Sequence, residues 1–114
     1  MDTKYFEKIR IFDGGMGQEL LSKGLISKGT LWSASALIER EFHKLVIDAH
    51  MSYINAGADI IVTNNFSARK IRFIQNKVLD KFQYANEQAG ILANKAREIS
   101  KQNILIAGSL PSQS

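Results

Sequence analysis

Two kinds of apolar pattern alternate along the chain. Short unbroken runs read as buried strands, and runs with a three- or four-residue step read as helices. The first run, Ile9 to Phe12, ends at Asp13-Gly14-Gly15 and predicts a strand entering a tight turn. A short helix around Gln18 to Ser22 is stopped by Gly24, and Ser27 to Ser35 reads as loop. Ile38, Phe42, Leu45, Ala49, Tyr53 and Ala56 then share one helical stripe, which Gly57 closes. Asp59 to Thr63 predicts a buried strand of branched residues, ended by Asn64-Asn65. A second long helix spans about Val78 to Ser100, striped by Val78, Phe82, Ala85, Ala89, Leu92, Ala96 and Ile99. Ile104 to Ala107 is the third strand, ended by Gly108-Ser109. A helix in each crossover makes the expected sheet parallel, in an α/β fold.

In such folds ligands sit beyond the carboxyl ends of the strands. Three such ends are expected on one rim. They present Asp13-Gly14-Gly15, Thr63-Asn64-Asn65-Phe66 and Gly108-Ser109-Leu110. Glycines and short polar side chains there suit a small polar ligand.

Composition narrows the chemistry. The 114 residues include no cysteine, which excludes disulfides, thiolate metal sites and cysteine nucleophiles within this chain. No apolar run approaches the roughly 18 to 20 residues that span a bilayer, and the first ten residues lack the apolar core of a signal peptide. The expectation is a cytoplasmic protein with no membrane partner. The net charge of +4 and the cluster Arg69, Lys70, Arg72, Lys77 and Lys81 raise nucleic acid as a partner. A solvated loop and helix start explains that cluster better, so no nucleic acid is expected.

Asp13-Gly14-Gly15-Met16-Gly17 is not a phosphate loop, because it fits neither the dinucleotide fingerprint nor the P-loop. An acid before the glycines repels phosphate and attracts ammonium, and neighbouring backbone N–H groups suit a carboxylate. The segment is therefore either an amino-acid pocket or a turn closed by its own aspartate. Trp32, the single tryptophan, is either a loop residue packed on the fold or a face for a sulfonium or quaternary ammonium. His43 and His50 lie about 10 Å apart on one helix, too far to share a metal ion, and read as surface or helix-packing residues. Asn64 and Asn65 either line a site or cap a strand end. No nucleophile-and-base constellation is visible.

Together these segments resemble the homocysteine S-methyltransferase family. Asp13 to Leu20 is similar to its opening motif, although Gln18 stands where Thr is frequent. Leu31-Trp32-Ser33-Ala34 with Leu37-Ile38-Glu39, His50 to Ile61, Thr63 to Ala68 and Ala107 to Leu110 resemble its next blocks, in order. The resemblance covers nearly the whole chain and implies the amino-terminal part, about three β/α units, of a parallel (β/α)8 TIM-type barrel. Residues 1–114 are thus expected to form an incomplete homocysteine-binding methyltransferase domain. The implied reaction moves a methyl group from S-methylmethionine or S-adenosylmethionine to homocysteine, forming methionine. The implied cofactor is zinc, held by three cysteine thiolates that activate the homocysteine sulfur.

By the same resemblance Asp13 matches the acid that binds the homocysteine amino group, with Gly14 and Gly15 beside it. Trp32 matches the ring that faces the donor, and Asn65, Phe66 and Ser109 complete the substrate-binding set. No catalytic or metal-ligating residue is expected in this chain. Phe66 stands where relatives often carry Tyr, Ser67 replaces a longer polar residue, and Pro111-Ser112-Gln113-Ser114 departs from the usual continuation. A barrel of this type needs roughly 250 residues. A truncated chain of this length is expected to bind no zinc, to be inactive alone, and to be aggregation-prone, oligomeric or partly unfolded, with self-association or a complementing chain as partner. The alternative reading is a non-catalytic remnant or interaction module that completes a barrel with another chain.

Overall fold

Helices and extended segments alternate as the apolar pattern predicts, with breaks at places the pattern does not mark. A computed structural model describes residues 9–25, 31, 34–65 and 68–108. In chain order the elements are α1 (Met16–Ser22), α2 (Ser35–Ile38), a 3-10 turn (Arg40–Phe42), α3 (His43–Asn55), β1 (Ile60–Val62), α4 (Lys70–Gln75), a second 3-10 turn (Leu79–Lys81), α5 (Phe82–Ser100) and β2 (Leu105–Ala107).

β1 and β2 pair in parallel, with Ile60 opposite Leu105, Ile61 opposite Ile106 and Val62 opposite Ala107. The expected first strand is a single parallel bridge, Phe12 to Ile60. Ile11 still accepts two backbone hydrogen bonds, from the N–H groups of Asp59 and Ile60, and Asp13 N–H donates to Ile60 C=O. The parallel α/β arrangement is therefore present, in the order first segment, β1, β2.

The long helix expected from Ile38 to Ala56 is interrupted at Glu39, whose backbone is extended (φ −91°, ψ 110°). With the interruption, Leu37, which a straight helix would hold off the Ile38–Ala49 stripe, joins Ile38, Val46 and Ala49 in one cluster. It also frees the last carbonyls of α2. A His43 ring nitrogen, Nε2, meets the Leu37 carbonyl at 2.8 Å, so one of these orphan acceptors is satisfied. The expected second long helix likewise begins with a 3-10 turn, and α4 forms inside what reads as a basic loop. Phe73 explains α4. It is fully buried and meets Phe82 edge-on, with ring centroids 5.5 Å apart. Phe73→Ala would leave a cavity costing about 3–5 kcal/mol.

α5 buries a stripe of small residues, Ala85, Ala89, Ala93 and Ala96, with Leu92. Alanines let α3 approach closely, and α3 with α5 forms the main helix pair of the fold. One cluster joins Ala85, Ala89 and Leu92 to α1, α2 and α3; another joins Ala93 and Ala96 to Ile54, Ile61 and Ile104 beneath the strands.

α3 ends as its sequence requires. Gly57 N–H bonds Ile54 C=O, Ala58 N–H bonds Tyr53 C=O, and Gly57 takes φ +110°. This double closure needs a left-handed residue after the cap, the role glycine fills without strain. α4 closes by the same pair of bonds, Lys77 to Ile74 and Val78 to Phe73, but with Lys77 at φ +59°.

Candidate functional site

The carboxyl ends of the three extended segments meet in one row. Asp13 follows the bridge residue Phe12, and its carboxylate oxygen Oδ2 accepts a hydrogen bond from Val62 N–H at 3.0 Å. Thr63 N–H in turn bonds Ala107 C=O at 2.9 Å. Asp13, Thr63 and Gly108 thus stand beside one another where strands become loops.

Asp13 is half-buried, and burial raises its carboxyl pKa above the ordinary value, opposed by hydrogen bonds from the backbone of Val62 and of Asp13 itself. An ionised carboxylate has about four acceptor sites. The Val62 bond leaves capacity for a cationic donor.

Gly14 and Gly15 are exposed and lie against Tyr53 from α3. A side chain on Gly14 would place its Cβ 2.8 Å from Tyr53 Cε1 and 2.9 Å from the hydroxyl oxygen. The Tyr53 hydroxyl donates to Gly15 C=O at 3.0 Å, and the same carbonyl accepts Glu19 N–H at the start of α1. The tyrosine therefore sets where the glycine turn runs. Burial, then the negative charges of Glu19 and Asp13, raise the pKa of its hydroxyl, which stays protonated and a donor.

Asn65 is held on both sides. Its side-chain oxygen accepts from Thr63 Oγ1 at 2.8 Å, and its amide donates to Asn86 Oδ1 at 3.0 Å. Asn86 is fixed by its own bond to Phe82 C=O. The loop after β1 is thereby tied to the first turns of α5. Asn64 is buried. Trp32, Phe66 and Ser109 lie outside the described residues.

Asp13, Gly14, Gly15 and Asn65 therefore lie along a row of strand ends. Sequence reasoning missed Tyr53 and Asn86 as parts of this region. Tyr53 sits on the apolar stripe of α3, and nothing in a stripe marks a hydroxyl that points at a loop 38 residues away. His43 stacks on Tyr84, with ring centroids 6.2 Å apart. His50 is fully buried, and neither ring nitrogen has a hydrogen-bond partner among the described residues. Burial drives its pKa down to about 4. Among the described residues no three His, Cys, Asp or Glu side chains group to hold a metal ion, and no helix is long and apolar enough to cross a membrane.

The family model for homocysteine S-methyltransferase matches residues 10–114. This chain belongs to the homocysteine S-methyltransferase family. The Escherichia coli (strain K12) homocysteine S-methyltransferase is 32% identical over 115 residues, covering 91% of this chain and 35% of that protein. Homocysteine S-methyltransferase 1 of Zea mays is 39% identical over 64 residues, covering 56% of this chain and 19% of that protein. Among solved structures, the metallated form of the homocysteine methyltransferase MmuM from Escherichia coli superposes with a TM-score of 0.81 at 28% identity. The superposition covers 97% of this chain and 41% of that one. This family member thus spans well under half the length of the relatives it matches.

Proposed function

We propose that the chain supplies the homocysteine-binding corner of a methyl-transfer site built on a (β/α)8 barrel. The observation that carries this reading is the Asp13-Gly14-Gly15 turn, held at the strand ends by the Val62 amide and the Tyr53 hydroxyl. The Asp13 carboxylate takes the homocysteine ammonium, and the Gly14-Gly15 backbone lies against the amino-acid end. With that end anchored, the sulfur reaches toward the centre of the barrel. In the reaction a sulfur lone pair bonds the donor methyl while the donor's carbon–sulfur bond breaks. The donor sulfonium becomes a neutral thioether, and the homocysteine thiol proton leaves to solvent. S-methylmethionine or S-adenosylmethionine serves as donor; the family resemblance assigns Trp32 to that donor and Asn65, Phe66 and Ser109 to the substrate-binding set. The cytoplasm is the setting this reading assumes.

Zinc, which the family resemblance implies, does not fit the residues present. The chain has no cysteine, and the described residues offer no cluster of three ligands. The reading therefore assigns metal binding to polypeptide outside these 114 residues.

A second reading, pairing with a complementing chain or with another copy, rests on one further observation. Ile9, Ile11 and Phe12 of the first segment are 93%, 55% and 56% exposed. An apolar run beside an open strand edge is a template for another strand.

The test has two parts. Calorimetric titration of L-homocysteine into the chain, and into its Asp13→Asn variant, reads the binding corner. Methyl transfer from S-methylmethionine, with and without the polypeptide encoded immediately downstream, reads the reaction. Binding that survives Asp13→Asn sinks the assignment of Asp13. Turnover by the chain alone sinks the assignment of the thiolates elsewhere.

A further inference from the structure

A groove of about 660 Å³ runs between the α2–α3 junction and α5. None of Asp13, Gly14, Gly15 or Asn65 lines it. Among the described residues its charged lining is all of one sign. Arg40 comes from one wall, and Lys81 and Lys95 from the other. All three are exposed, and none has a carboxylate partner among the described residues. Between the cations the lining is aromatic and apolar apart from Gln88. His43 and Tyr84 stack across the groove, and Ile91, 43% exposed, stands beside the buried Ile38.

We propose that this groove docks an acidic polypeptide segment. Charge and length together select that ligand class. Lys81 and Lys95 are separated by about 20 Å at the rise of an α-helix. A lone phosphate or carboxylate reaches one of them, while about six or seven residues of extended chain reach both. The apolar middle suits aliphatic side chains between the terminal carboxylates. Nucleic acid fits less well. Its binding draws on many phosphate contacts, whereas three cations line this groove among the described residues. Exposed Glu41 and Asp80, next in sequence to Arg40 and Lys81, would repel a continuing phosphate backbone.

The probe is a fluorescein-labelled seven-residue peptide with two glutamates at each end and leucines between, followed by fluorescence anisotropy on the 114-residue chain. Binding is expected in 50 mM NaCl and is expected to weaken in 200 mM NaCl, since salt screens exposed charges. Arg40→Glu with Lys95→Glu should weaken it about tenfold or more. Lys70→Glu with Lys101→Glu makes the same change in net charge outside the groove and should weaken it about twofold or less. Equal losses in the two double variants would overturn the proposal, because overall charge would then explain the binding. Displacement of the peptide by pyrophosphate or oligo-dT at lower concentration than unlabelled peptide would overturn it too. Amide shifts in the unaltered chain provide a check free of mutation. The proposal expects the largest at Tyr84, Gln88 and Ile91, and a map centred elsewhere overturns it.

Discussion

The Tyr53 hydroxyl donates to the Gly15 carbonyl, and the same ring occupies the space that a side chain on Gly14 would need. The two contacts couple α3 to the turn that carries Asp13. Gly14→Ala should therefore destabilise the chain by about 1–3 kcal/mol through overpacking. In a Tyr53→Leu background the same substitution should cost much less, because the obstructing ring is gone. Urea melts of the four proteins form a double-mutant cycle. Additive costs would show that ring and turn are not coupled.

With Asp13 as the proposed ammonium partner, homocysteine binding should depend on pH. The Asp13 carboxyl pKa is raised, mainly by burial, so the neutral form persists to higher pH than in an ordinary aspartate. The protonated acid cannot attract an ammonium group. Homocysteine affinity should therefore fall on acidification before a solvent-exposed aspartate would protonate. The sign for folding is opposite: the raised pKa favours the fold below the unfolded value, and that contribution is lost as pH rises through the folded one. Calorimetric titrations across the acid range separate the two, since Asp13→Asn should bind weakly at every pH.

His50 imposes a second pH dependence, of acid loss. Its pKa falls from 6.5 to about 4 because burial disfavours the charged ring. The fold keeps it neutral, so stability is full above 6.5 and is lost as pH falls toward 4. The span corresponds to roughly 3 kcal/mol. His50→Leu should flatten the urea midpoint between pH 7 and pH 4.5. At pH 7 it should be neutral or stabilising, because it removes two ring nitrogens unpaired among the described residues. An unchanged pH slope in the variant would assign the acid loss to other groups.

Lys77 occupies the left-handed position that closes α4, at φ +59°. A side chain there costs about 1–2 kcal/mol that glycine does not incur. Lys77→Gly loses part of this gain to the greater freedom of the unfolded chain, so a net stabilisation of about 0.5–1 kcal/mol is expected. Thermal melts check the direction, and a lower melting temperature would mean the lysine side chain makes a contact that outweighs the strain.

The legible parts of this fold are those that rest on one-dimensional pattern. The stripe Ala85, Ala89, Leu92, Ala96 marks α5, and the run from Ile60 to Val62 marks β1, because burial on one face or both leaves a periodic trace. The break at Glu39 leaves no such trace. Leu37 and Ile38 are apolar in either geometry, and only tertiary packing decides which way they turn. α4 was hidden for a related reason. One buried phenylalanine holds a helix whose other residues are mostly exposed, with two basic residues among them. At the rim, Asp13-Gly14-Gly15 announced itself by an acid before a turn. Tyr53 and Asn86 did not, because each acts on residues distant in the chain and local spacing carries no record of it.

The parallel register sets an order of events in time. Ile60 and Leu105 are neighbours in the sheet yet 45 residues apart in the chain, with α4 and α5 between them. Closing that loop gains nothing until the intervening helix is in place. The α3–α5 seam, where alanines let the helices meet, is the contact that brings the two strands within reach. Folding should thus begin as a helical hairpin and finish as a sheet. Amides of β1 and β2 should gain protection from hydrogen exchange after those of Ala89 and Ala93, and the strands would be the last part of the chain to leave solvent.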